Sequence, residues 1–218
     1  MHEYQIVRAN GNVDLSSAWD DIPQAKLEHF RIESSSHRPE VTFQLQYDQS
    51  GIYGLYQVKD RYVRAAITQF QGRVCTDSCV EFFVQPPDGA GYVGLEFNCS
   101  GVMLSHHVLD PAREAGGPLA DFRELTDEEV KGMRVFHTLS GEITPEIAEE
   151  TQWRLGFFIP FEMMTQITGA AKPEPGTKWR ANLYKCADSS SHPHWASWQP
   201  VLELNFHCPE SFGNIIFK

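Results

Sequence analysis

The chain has 218 residues, a formal net charge of −11, and 41% hydrophobic against 22% charged residues. This is ordinary globular composition, which can bury a substantial core without disulfides or metal. The acidic balance and the scattered Lys and Arg argue against nucleic acid and against an anionic membrane surface.

The chain opens with MHEYQIVRANG, which has no basic stretch followed by an apolar run. The expected location is therefore the cytoplasm, or the periplasm or exterior if a signal peptide has been removed. No apolar stretch approaches membrane-spanning length. Next, VTFQLQYD alternates Val41, Phe43, Leu45 and Tyr47 with polar neighbours, and Gln49-Ser50-Gly51 turns the chain into IYGLYQVKD as a hairpin. The same period recurs in CVEFFVQP, YVGLEFNC, VMLSHHVL, MRVFHTL, WRLGFFIP and KWRANLYKC.

Between these strands, the Pro- and Gly-rich stretch DPAREAGGPLADFRELTDEE reads as a surface excursion. Thr126 with Glu129 forms the pattern of a capping box, and Pro160 with Gly169 brackets a short helix over Phe161 to Ile167. Many strands and one or two short helices predict an all-β chain, a single antiparallel β-sandwich occupying residues 1–218.

The five cysteines, Cys75, Cys79, Cys99, Cys186 and Cys208, are odd in number and follow neither a zinc-ligand spacing nor a disulfide framework, so they read as reduced apolar fillers. Alternation sorts the other side chains by face. Tyr92, Glu96 and Asn98 oppose Val93, Leu95, Phe97 and Cys99, while Arg180, Asn182 and Tyr184 oppose Trp179, Ala181 and Leu183. A polar sheet face of this kind is either solvated or suited to a polyhydroxylated ligand, whose hydroxyls need hydrogen-bond partners.

The stretch KCADSSSHPHWASWQP adds Trp195 and Trp198, indoles on which a sugar ring can pack. It also contains Cys186, Asp188, His192 and His194, a set that reads alternatively as a soft-metal cluster. Glu81 and Glu96 in neighbouring strands form the carboxylate pair that a glycoside hydrolase would need. His106 and His107 fall on opposite faces of their strand and cannot share one ion.

The run DSCVEFFVQPPDGAGYVGLEFNCSG, with WRLGFFIPFEMM, NLYKC, HWASWQP and NFHCPESFGNIIF following in order, resembles the carbohydrate-binding module family 9-like proteins, especially a Bacteroidetes group. The opening ANGNVDLSSAW is similar to that family's N-terminal segment. The resemblance implies a sandwich of jelly-roll type that binds neutral oligo- or polysaccharide and performs no chemistry, with the sugar ring held between two aromatic side chains. Of the two clamp positions, one falls here at Val74 and Cys75, which cannot stack, and the other at Phe206 and His207.

The family's structural calcium is not supported, because Asp77 is followed by Ser78 and Cys79. Distant relatives hold haem with a methionine and a histidine, for which Met103 with His106 or His137 are the available residues. The expected site is thus Trp195, Trp198, Tyr184, Asn182, Arg180, Glu96 and Asn98, with Arg113 reaching over from the long loop and Phe206 and His207 at the retained clamp position. No cofactor is expected.

Overall fold

A computed structural model describes residues 3–17, 19–113 and 117–218. The first strands are β1 (Glu3–Arg8), β2 (Gln24–Lys26), β3 (His29–Phe30), β4 (Glu40–Tyr47), β5 (Gly51–Asp60) and β6 (Val63–Ala65). The middle of the chain holds β7 (Cys79–Gln85), β8 (Tyr92–Asn98), β9 (Met103–Asp110), β10 (Asp121–Glu124), β11 (Arg134–His137) and β12 (Ile143–Ile147). The last are β13 (Thr151–Pro160), β14 (Lys178–Cys186), β15 (Trp195–Ser197) and β16 (Gly213–Phe217). Each of the eight alternating segments noted in the sequence lies on one of these strands.

One layer runs β10-β9-β8-β7-β14-β16-β1 and the other β1-β4-β5-β13-β11. The strand β1 belongs to both, pairing with β16 from Glu3 to Ile6 and with β4 at Val7 and Arg8. Both pairings are parallel, so the sandwich departs from the purely antiparallel arrangement expected. A chain that crosses from one sheet to the other without a turn keeps its direction, and here both neighbours share it.

Between the layers lie the inward residues of every long strand. Phe157 of β13 stacks on Phe82 of β7 and Phe97 of β8, with ring centroids 5.4 and 5.7 Å away. Such large side chains each stabilise the fold by about 1.5–3 kcal/mol through burial. Gly54 makes room for that stack, because a Cβ there would stand 2.1 Å from the Phe157 ring.

The local signals hold as well. Asp48 accepts from the Ser50 and Gly51 amides at 2.7 and 3.1 Å and closes the β4–β5 hairpin. Helix α1 (Asp127–Val130) has the Thr126–Glu129 capping box. Helix α2 (Phe161–Thr168) begins after Pro160 and ends on Gly169 at φ 77°, a left-handed conformation that glycine adopts without steric cost.

The excursion after Asp110 lies over the first layer rather than apart from it: β10 extends the sheet, and Leu119 is buried against Phe83, Tyr92 and Tyr184. The excursion's residues 114–116 lie outside those described. Val201 and Phe212, from the segment leading into β16, join the same outer cluster. The outer face of this sheet is therefore roofed, and the roof positions the site.

Candidate functional site

Strands β7, β8 and β14 lie side by side, and their register sets the floor of the site. Glu81 stands directly opposite Glu96 on one side and Tyr184 on the other, while Cys79 stands opposite Asn98 and Cys186. A period of two turns all six away from the core, whereas Val80, Phe82, Leu95, Phe97 and Leu183 point into it.

Above Glu81, Glu96 and Cys186, three loop segments converge around an open cavity of about 360 Å³. The first segment contributes Arg73 and Cys75, the second Asp188 and Trp195, and the third Asn205, Phe206 and His207, with Arg113 also on the lining. The loops are tied to one another: the Asp188 and Ser189 amides donate to the Cys75 and Thr76 carbonyls at 3.0 and 3.1 Å.

Two aromatic rings in the lining are held by specific contacts. The Trp195 indole N–H donates to Asp188 Oδ1 at 2.8 Å, which fixes the edge of the half-buried ring. Phe206 stacks on Tyr184 at 4.1 Å and 12°, and the Tyr184 hydroxyl donates to the Phe206 carbonyl at 3.0 Å. His207 is hydrogen-bonded through Nδ1 to the Tyr92 hydroxyl at 2.7 Å. Burial, with Arg113 and His106 nearby, lowers its pKa to about 3 and keeps the ring neutral.

The floor is acidic. Burial, then the neighbouring Glu96 charge, raises Glu81 well above the usual carboxylate range. Burial followed by Asp188 pushes Glu96 up to about 8, and burial raises Asp188 too. Among the described residues none of these three acids forms an ion pair. Protonated carboxyls in a buried floor can donate as well as accept hydrogen bonds, the versatility a hydroxyl-rich ligand demands.

Of the residues expected from sequence, the cavity gathers Glu96, Arg113, Trp195, Phe206 and His207, with Tyr184 beneath Phe206. Four others stand elsewhere. Trp198 is 5% exposed, with its ring edge-on to Phe43 in the core at 5.7 Å, so it offers no platform to a ligand. An offset of three positions puts the two tryptophans on opposite faces, and Ala196 already points inward.

Asn182 is fully buried and serves the backbone, donating to the Gln199 carbonyl and accepting from the Gln199 amide. Asn98 is likewise spent on Asp77 and the Ile67 carbonyl. Arg180 holds the roof down through the Phe212 and Glu210 carbonyls at 3.1 and 3.3 Å. Sequence reasoning missed Arg73 and Asn205, and considered Glu81 only as a hydrolytic group; its outward position in the alternation of CVEFFVQP was the available signal.

The soft-metal reading of the loop is overturned, because its members disperse. His194 turns inward to Lys185, His192 stacks on Tyr62 at 3.6 Å, and Asp188 is engaged by Trp195. The haem reading through Met103 and His106 fails too: Met103 faces the core and His106 the outer surface, where its ring meets Phe122. His137 is turned to the Leu139 carbonyl. Nor does Asp77 suit calcium. Its carboxylate accepts from the Ala66 and Ile67 amides and Asn98 Nδ2 and lies 3.3 Å from Arg64, leaving no free donor set for a hard cation.

A family model described as carbohydrate-binding family 9 matches residues 13–217. No curated protein matches the chain. Among solved structures, a protein of Bacteroides uniformis ATCC 8492 provisionally described as carbohydrate-binding is 26% identical, with TM-score 0.83 over 99% of each chain. A family 9 module of Caldicellulosiruptor kristjanssonii in complex with glucose is 14% identical, with TM-score 0.64 over 100% of this chain and 96% of that one. The same organism's module in complex with cellotriose is 13% identical, with TM-score 0.64 over 100% and 94%. The last two share the fold.

Proposed function

Because the chain belongs to carbohydrate-binding family 9, we propose that it is a non-catalytic module over residues 1–218 that takes a neutral sugar, at a chain end, into the cavity on the outer face. The observation that carries this is the meeting of Trp195 and Phe206 with Glu81, Glu96, Asp188 and Asn205 in one cavity. Aromatic rings supply faces for the C–H side of a pyranose, and the polar groups supply partners for its hydroxyls. On this reading Trp195 replaces the aromatic ring that Val74 and Cys75 cannot provide, and its bond to Asp188 holds the indole in place before the ligand arrives. Preorganisation of this kind lowers the entropy cost of binding.

The solved relatives bound to glucose and cellotriose make those two sugars the first ligands to test. Calorimetry is expected to detect binding of at least one, at micromolar affinity or weaker. Trp195→Ala and Phe206→Ala should each weaken it by roughly tenfold, about 1.4 kcal/mol. If no neutral oligosaccharide binds, or if both variants bind as well as the parent, the proposal is wrong.

The direct opposition of Glu81 and Glu96 also keeps a hydrolytic reading testable. Reducing ends released from glucan or xylan that vanish in Glu81→Gln would replace the binding-only reading.

A further inference from the structure

The same sheet face places the buried Cys79 beside two residues of the cavity floor, Glu81 and Cys186, and the sugar-binding reading does not require that grouping. Cys79 and Cys186 are directly paired across β7 and β14, and Glu81 lies two residues along on the same face as Cys79. One donor atom from each of the three lies within 4.8 Å of the others. Cys186 Sγ is 3.0 Å from Glu81 Oε1. All three side chains are buried.

Charge points the same way. The nearest cation along β14, Lys185, projects through the other face to Asp60. This sheet face thus concentrates two buried thiols and a carboxyl, with no positive partner bonded to them among the described residues. We propose that Cys79, Glu81 and Cys186 bind a thiophilic divalent cation of the zinc class, with a fourth position open to the cavity.

The donor set selects the metal. Two thiolates and one carboxylate suit zinc and discriminate against calcium and magnesium, which take oxygen ligands. Tetrahedral zinc with bonds of about 2.0–2.3 Å holds its ligand atoms about 3.3–3.8 Å apart, within the 4.8 Å spread of the three donor atoms. Three protein ligands and one open position would leave the ion accessible to water or to a ligand hydroxyl. Binding should release the two thiol protons, since only thiolates ligate. The site goes beyond the sugar-binding reading, and its test uses no sugar, so either idea can fail alone.

The experiment is titration of the reduced, desalted protein with Co²⁺ and then Zn²⁺, followed by absorption spectroscopy. One equivalent of Co²⁺ is expected to produce thiolate-to-metal charge transfer and the intense visible bands of a tetrahedral site, and Zn²⁺ should bleach both. Cys186→Ser and Cys79→Ser should lose the charge-transfer band, Glu81→Gln should weaken Zn²⁺ by at least about 10-fold, and Cys208→Ser should change nothing. Absence of the band in the parent protein overturns the proposal without recourse to any variant. A band that survives in both folded serine variants overturns it as well.

Discussion

Two neighbours on β14 face opposite worlds. Lys185 points inward, where Asp60 lies 3.2 Å from its ammonium and both side chains are fully buried. The Asp60 Oδ2 contact is ionic rather than an aligned hydrogen bond, while Oδ1 is bonded to His37 at 2.7 Å and to the Arg61 amide at 2.8 Å. His194 faces the His192 carbonyl through Nδ1, so its proton sits there and Nε2 accepts from Lys185 at 2.7 Å. Cys186 points outward, to Glu81 and the acid-lined cavity. The inner cluster is charge-matched and closed, whereas the outer one is unmatched and opens to a cavity. Matched buried charge joins the two layers; unpaired buried acids are kept where a ligand can answer them.

The largest effect should follow from breaking the matched side. Lys185→Met strands Asp60 and is expected to cost about 3–5 kcal/mol in urea unfolding, of which adding Asp60→Asn should return a part. If Lys185→Met proves neutral, the distinction between the faces collapses. The two tryptophans sharpen it next. Trp198→Ala should destabilise by about 3–5 kcal/mol through its core cavity, whereas Trp195→Ala should cost less than about 1 kcal/mol in stability and act on sugar affinity instead. Equal losses of stability would show that both rings are structural.

The smallest effects lie in pH, and the two faces carry opposite signs. Burial, then Lys185, lowers His194 from 6.5 to about 3, so its contribution is complete above pH 6.5 and falls away as the unfolded chain takes up the proton below that. Asp60 is also held low: its burial would raise the carboxyl, but the Lys185 charge and the His37 hydrogen bond outweigh that, and its contribution is likewise lost in acid. Glu96 is raised from 4.5 to about 8, so in the metal-free protein its contribution is present below 4.5 and is lost as pH rises towards 8. Thermal unfolding across pH should therefore show an acid limb softened in the Lys185→Met/Asp60→Asn variant and an alkaline limb softened in Glu96→Gln. A common response of both limbs to either variant would contradict the assignment.

Much of the fold was legible because period-two alternation is a local property. Val41 to Tyr47, Cys79 to Gln85 and Lys178 to Cys186 announce their faces within a single strand, and the Thr126 box and the Gly169 stop are fixed by neighbours a turn away. The same locality explains the errors. Trp195 and Trp198 looked equivalent in their loop, yet pairing of β15 with β14 turns Ala196 inward and leads Trp198 back into the core. His194, a ligand only on the alternative metal reading, is claimed at Nε2 by Lys185. Asn98 and Asn182 looked like ligand contacts, but buried backbone amides and carbonyls claimed them first, because leaving such groups unpaired costs more than an exposed side chain gains.

The sequence alone determined that the chain alternates, that its faces are apolar inside and mixed outside, and that its balance is acidic. Only the tertiary structure decided which outward residues meet. Glu81, Glu96, Cys79 and Cys186 come together through strand register, and Trp195 and Phe206 through loops whose paths are set by hydrogen bonds to distant segments. Register and loop closure depend on the whole core being assembled, and no spacing within one segment encodes them.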